Sequence, residues 1–133
     1  MNPSDIVMLK LTIRYGEMDT LQTETTVHLQ EKWFLLRGGY EMSWYGKQHK
    51  IEQQAIERIL CIIHDCDVLQ WETEYFAPVI HGTSWELVIT YTDDVEIIKR
   101  GFNAYPSKWQ DFHVMLCSLY EHRSDGDSIP VDI

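Results

Sequence analysis

The stretch from His81 to Tyr120 constrains the fold more than any other part of the chain. Residues 85–91 alternate apolar and polar side chains with a period of two, which is the pattern of a half-buried β-strand. Thr92-Asp93-Asp94 has turn chemistry, because a short Asp side chain can bond its own backbone. Val95 to Arg100 then resumes the alternation, so this part of the chain predicts an antiparallel hairpin that Gly101 ends.

A helix is predicted directly after the hairpin. Pro106 suits the first turn of a helix, where its missing N–H costs nothing, and it keeps Tyr105 away from helical backbone angles. At about 100° per residue, one stripe of the helix collects the large apolar side chains. These are Trp109, Phe112, Met115, Leu116, Leu119 and Tyr120. We expect this helix to lie on the sheet.

Aromatic and glycine residues of the C-terminal half form a W…Y…GxxW…GxNxYP pattern. It is carried by Trp71, Tyr75, Gly82, Trp85, Gly101, Asn103, Tyr105, Pro106, Trp109 and Phe112. The pattern resembles one found in a group of small bacterial proteins to which no activity is assigned. The resemblance implies a fold and no particular chemistry.

The N-terminal half has the spacing of an antiparallel meander. Period-two alternation predicts a strand over Ile6 to Tyr15, and weaker patterns predict strands over Thr23–Gln30 and Trp33–Arg37. Gly38-Gly39 is expected to separate the third strand from a fourth strand over Tyr40–Tyr45.

A first helix is predicted from Lys50 to about His64, since apolar residues fill about half of its helical wheel. The following segment, Val68 to Ala77, is expected to be a short strand or extended, and Pro78 closes it. Together these patterns predict an α+β two-layer sandwich in the order ββββ-α-(β)ββ-α. About six mostly antiparallel strands would carry two helices on one face. We expect residues 1–122 to form one domain and residues 123–133 to be a polar tail that frays.

Composition narrows the classes of partner. The formal net charge is −10, from 21 acidic and 11 basic residues, and such a surface repels the phosphates of nucleic acids. No apolar run is long enough to cross a membrane, and the first residues lack the pattern of a signal peptide. Three cysteines, an odd number without a C-x-x-C pair, are typical of a reducing compartment. These features predict a cytoplasmic protein that binds neither nucleic acid nor membrane.

Two cysteine–histidine spacings and one contiguous His-Asp-Cys run could indicate a metal site or a catalytic site. Cys61 with His64, and His113 with Cys117, have spacings that can place two ligands on one helix face. However, the first pair lies on the polar side of its helix and the second only flanks an apolar stripe. Contiguity of His64-Asp65-Cys66 is not a triad, because adjacent helical residues point about 100° apart. We therefore predict no metal, no cofactor and no catalytic residue.

Aromatic residues supply the leading functional hypothesis. Five Trp and seven Tyr are more than so small a core hides easily, and several are predicted in strands or loops. Candidate binding residues are Trp33, Trp44, Trp71, Tyr75, His81, Asn103 and Tyr105. The leading hypothesis is a non-enzymatic cytoplasmic protein-binding module, either inhibitor- or immunity-like or self-associating, that uses an aromatic-rich uncovered sheet face. The alternative is a small-ligand-binding protein or small enzyme with a pocket near His81, Asn103 and Tyr105, although Asn103 and Tyr105 are also expected to stabilise the loop that leads into the helix.

Overall fold

A computed structural model describes residues 3–16, 21–40, 48–78 and 82–121. Its strands are β1 (Ile6–Tyr15), β2 (Leu21–His28), β3 (Trp33–Tyr40), β4 (Gln48–Lys50), β5 (Glu74–Phe76), β6 (Thr83–Tyr91) and β7 (Glu96–Phe102). Its helices are α1 (Gln53–Asp65) and α2 (Trp109–Glu121). Neither of these helices combines the length and the apolar content that a membrane crossing requires.

The described strands form one sheet in the order β4-β3-β2-β1-β6-β7-β5. Neighbouring strands are antiparallel, except that β5 runs parallel to β7. Both helices pack on one face, so the predicted two-layer α+β sandwich is confirmed. We call the face under the helices the covered face and the opposite face the uncovered face.

The core lies between the covered face and the two helices. Alternation along the strands places one set of residues in it: Leu9, Leu11, Ile13, Val27, Phe34, Trp85, Leu87, Ile89 and Tyr91. The helices contribute Ile56, Ile59, Ile63, Trp109, Phe112, Leu116 and Leu119. Each fully buried aliphatic or aromatic side chain stabilises the fold by about 1.5–3 kcal/mol. The apolar stripe of α2 is therefore the surface that holds this helix on the sheet.

Several predicted boundaries differ from those observed. β2 begins and ends two residues earlier than predicted, and β3 continues through Gly38 and Gly39 instead of breaking there. The two glycines stay extended because they pair with Thr23 and Gln22 of β2. α1 begins at Gln53, since Lys50 is the last residue of β4. The predicted strand over Tyr40–Tyr45 and the tail 123–133 lie, apart from Tyr40, outside the described residues.

Residues 68–77 contain more turns than predicted. Val68–Gln70 form a 3-10 turn, and only Glu74–Phe76 form a strand. Lys99 of β7 holds this connection from inside the protein, where its side chain is 5 % exposed. Its Nζ donates hydrogen bonds to the carbonyl oxygens of Leu69, at 3.3 Å, and of Trp71. These bonds satisfy carbonyl groups that a short turn leaves without backbone partners.

Candidate functional site

Trp71 and Tyr75, two of the predicted binding residues, lie on the covered side of the sheet. Trp71 is 7 % exposed, and its Nε1 donates to the carbonyl oxygen of Cys66 at 3.0 Å. Tyr75 pairs in register with Gly101, and its ring lies 6.1 Å from that of Trp85. The expectation that these rings share the uncovered face is wrong, because the register of β5 against β7 directs position 75 towards the helices.

Asn103 and Tyr105 form the junction between β7 and α2. Asn103 has a φ of +51°, a conformation that Asn tolerates better than most residues. Its Oδ1 accepts a hydrogen bond from the backbone N–H of Thr83 at 2.7 Å. Tyr105 stacks its ring on Trp85 and packs against Trp109. With these contacts, Asn103 and Tyr105 stabilise the loop between β7 and α2.

Two glycines make this junction possible. A Cβ on Gly82 would collide with the side chain of Asn103, and one on Gly101 would collide with the indole of Trp85 and the carbonyl oxygen of Ala104. Trp85 Nε1 donates to that same carbonyl at 3.0 Å. Contacts within the protein thus explain the GxxW…GxNxYP part of the sequence pattern. The resemblance of that pattern to a group of small bacterial proteins stays a prediction.

Two further candidate residues, Trp44 and His81, lie outside the described residues. The hypothesis of a ligand pocket that joins His81 to Asn103 and Tyr105 therefore stays a prediction. Trp33 lies on the uncovered face, half-buried, and stacks on His28 with 5.4 Å between the ring centroids. It also lines an open cavity of about 810 Å³ beside the start of α1, together with Lys32, Lys50 and others.

Charged side chains occupy the middle of the uncovered face. The strand register aligns Arg37, Glu24, Thr12, Glu86 and Arg100 in one row across five strands. Glu24 lies 3.4 Å from both Lys10 Nζ and Arg37 Nη1, and Arg100 Nε donates to Glu86 Oε2 at 2.9 Å. This row separates the apolar residues of the face, so the described residues do not form one contiguous apolar patch.

The adjacent row ends in an aromatic pair. It consists of Gly39, Gln22, Arg14, Ser84 and Phe102, and Phe76 of β5 extends it. Phe76 and Phe102 stack with 5.8 Å between their centroids, and the side chain of Phe76 is 71 % exposed. The ring of Phe76 therefore exposes apolar surface to water. Burial of this surface against a partner would be favourable.

An open depression of about 580 Å³ lies along these two rows, within the volume range of natural binding sites. Phe76 and Phe102 form one side, and Arg14, Arg100, Glu74 and Glu86 are among the charged groups around it. Arg14 Nε donates to Gln22 Oε1 at 3.2 Å. We call this region the β5-end surface. Sequence reasoning missed it, since Phe76 and Phe102 lie in different elements and neither residue stands out in the chain.

The two cysteine–histidine spacings do not meet in a metal site. In α1, the thiol of Cys61 lies 3.9 Å from Asp65 Oδ2, while in α2 Cys117 Sγ lies 3.8 Å from His113 Nε2. Within the described ranges, no group of three or more His, Cys, Asp or Glu side chains could hold a metal ion. Burial lowers the pKa of His113, which stacks on Trp109.

Comparison with known proteins gives no family assignment. No family model matches the chain, and no curated protein matches it.

Proposed function

We propose that the chain is a non-enzymatic, cytoplasmic protein-binding module and that the β5-end surface is where it binds. The observation that carries this proposal is the exposure of Phe76, stacked on Phe102 beside a depression lined by two arginines. Aromatic and arginine side chains supply much of the binding energy in protein interfaces. Here they lie together on the face that the helices leave uncovered.

The openness of this surface favours binding over catalysis. Charged groups that remain in contact with water interact weakly, whereas charge-stabilised catalysis needs a water-excluded site. The paired side chains Arg100 and Glu86 can instead form a polar rim around the aromatic contact. The cytoplasmic assignment is supported by the cysteine content of the sequence, which is three, an odd number, without a C-x-x-C pair.

Affinity enrichment from the source cells with a matched pair of variants tests this proposal. Phe76→Ser removes the exposed ring, and Val114→Ser removes a 55 % exposed apolar side chain from α2, away from the proposed surface. We expect wild type and Val114→Ser to enrich the same partner protein to the same extent. Phe76→Ser should enrich that protein at least about tenfold less, as the loss of an interface anchor implies.

A direct binding measurement with the purified partner then gives the dissociation constants of the same variants. The proposal is wrong if Phe76→Ser and a second variant, Phe102→Ala, bind the partner as tightly as wild type. Light scattering of the wild-type protein tests self-association. A dimer that Phe76→Ser dissociates would identify the partner as a second copy of the chain.

A further inference from the structure

Among the strands that the structure describes, β5 is the outermost at its end of the sheet. The carbonyl oxygen of Thr73 accepts from Arg100 N, and Ala77 N donates to the carbonyl oxygen of Phe102, both towards β7. Backbone groups of successive residues alternate between the two edges of a strand. The N–H and C=O groups of Glu74 and Phe76 therefore point to the edge that faces away from β7.

Within the described ranges, no second strand pairs with this edge. Natural edge strands carry lysine, proline or a bulge, or are covered by another element. The opposite outermost strand, β4, carries Lys50 and leads directly into α1. β5 has only part of this protection: it is three residues long and carries the charged Glu74, but it also presents an exposed aromatic residue, Phe76. Pro78 limits the available edge to a few residues.

We infer that the β5-end surface binds its partner by strand addition, in which an extended segment of the partner protein pairs with the free edge of β5. This inference rests on the proposed function, and it specifies which kind of partner segment the surface binds. On the uncovered face, Glu74 continues the row that contains Arg100, and Phe76 continues the row that contains Phe102. The added strand would extend both rows by one residue. An apolar residue of the partner would lie beside Phe76, and a lysine or arginine two positions away would lie beside Glu74.

Charge favours a basic segment over a second copy of this chain. Glu74 of β5 and Glu72, two residues before it, are both exposed, and the chain as a whole has a formal net charge of −10. Two copies would repel each other, whereas a basic segment would be attracted over a distance of about 10 Å at ordinary ionic strength.

Synthetic peptides test the inference on the intact chain. The probe has the sequence Thr-Val-Lys-Thr-Phe-Thr-Lys-Val-Thr with blocked ends, so that a lysine lies two positions from the phenylalanine in either strand direction. We expect this peptide to bind about threefold more tightly than the version with glutamates in place of lysines, as cross-strand charge pairs imply. Glu74→Lys should reverse this preference, and Glu57→Lys, the same charge change on the exposed side of α1, should not.

Backbone methylation of the peptide distinguishes strand addition from side-chain docking. One peptide is N-methylated at the phenylalanine and lysines, and a second at the threonines that flank the phenylalanine. Antiparallel pairing uses the first set of N–H groups and parallel pairing the second, so one methylated peptide should lose binding and the other should retain it. Equal binding by both would overturn strand addition.

Amide hydrogen exchange separates failure of this inference from failure of the proposed function. Bound peptide should slow the exchange of the Glu74 and Phe76 amides, and leave that of Tyr75, which faces β7, unchanged. If Phe76→Ser weakens binding while these two amides exchange as in the free protein, strand addition is wrong and the proposed function stands. If Phe76→Ser affects neither the peptide nor the cellular partner, the proposed function itself fails.

Discussion

Thr83 and Asn103 are joined by two hydrogen bonds of opposite direction. The backbone N–H of Asn103 donates to the carbonyl oxygen of Thr83 at 2.9 Å, and the backbone N–H of Thr83 donates to Asn103 Oδ1 at 2.7 Å. The pair fixes the end of β7 against the start of β6, and so sets the direction in which the chain enters α2.

Replacement of Asn103 should therefore destabilise the protein in a graded way. Asn103→Ala leaves the Thr83 N–H without its acceptor and places alanine at a positive φ, at a cost of about 2–3 kcal/mol. Asn103→Asp retains the acceptor oxygen and should stay within about 1 kcal/mol of wild type. Urea unfolding gives both free energies, and equal loss in the two variants would contradict the role of Oδ1.

Gly101→Ala should destabilise the protein more than Gly16→Ala, because Gly16 has space around it and Gly101 does not. The new Cβ would collide with the indole of Trp85, which is buried and cannot move freely, and overpacking of this kind costs about 1–3 kcal/mol. Gly16→Ala, at a φ of +82° with nothing within 4 Å, should cost about 1 kcal/mol for the backbone conformation alone. The difference between the two unfolding free energies measures the collision.

Lys99→Met should destabilise the fold although it removes a buried charge. The substitution leaves the carbonyl oxygens of Leu69 and Trp71 without the donor they now have, at a cost of about 1–3 kcal/mol. Thermal or urea unfolding at neutral pH checks this value. A variant as stable as wild type would show that water replaces the ammonium group.

The same substitution should change the pH dependence of stability in alkaline solution. Burial lowers the pKa of Lys99 below its ordinary value of 10.5, and the carboxylate of Glu72 partly opposes this. Between the folded and unfolded pKa the unfolded chain binds more protons, so this lysine makes stability rise with pH. The difference in unfolding free energy between wild type and Lys99→Met should therefore increase as the pH approaches 10.5.

His113 should make the protein less stable in mild acid. Its pKa is lowered from 6.5 by burial, so the unfolded chain binds more protons than the folded protein as the pH falls below that value. Stability contributed by the neutral imidazole is present above pH 6.5 and is lost as the pH falls through the folded pKa. His113→Gln should flatten this part of the profile, whereas His64→Gln, on the exposed side of α1, serves as the control.

Thiol labelling should distinguish the three cysteines. Cys61 and Cys117 are exposed and Cys66 is buried, and burial also raises the pKa of the Cys66 thiol, which disfavours the reactive thiolate. An aromatic disulfide reagent should modify Cys61 and Cys117 in the folded protein and Cys66 only after unfolding. Mass spectrometry of the labelled peptides checks the order, and early labelling of Cys66 would show that α1 opens locally.

Local periodicity explains which elements could be predicted from the chain alone. The strand Ile6–Tyr15 has the predicted bounds, and the apolar stripe over Trp109, Phe112 and Leu116 is buried as expected. In such segments the repeat of the side chains matches the repeat of the backbone, so a few neighbouring residues carry the information. The pair of helices on one face follows from the same local patterns.

Register and edge position depend on contacts between distant residues, and only the tertiary structure decided them. Pairing of β5 with β7 turns Tyr75 inwards and Phe76 outwards, and a shift of one residue would exchange them. Burial of Lys99 likewise depends on the turn that brings Leu69 and Trp71 over it. The sequence by itself therefore determined the layers and their composition, because short-range alternation encodes them. The tertiary structure determined which side chains remain on the surface, because that depends on which strand lies beside which.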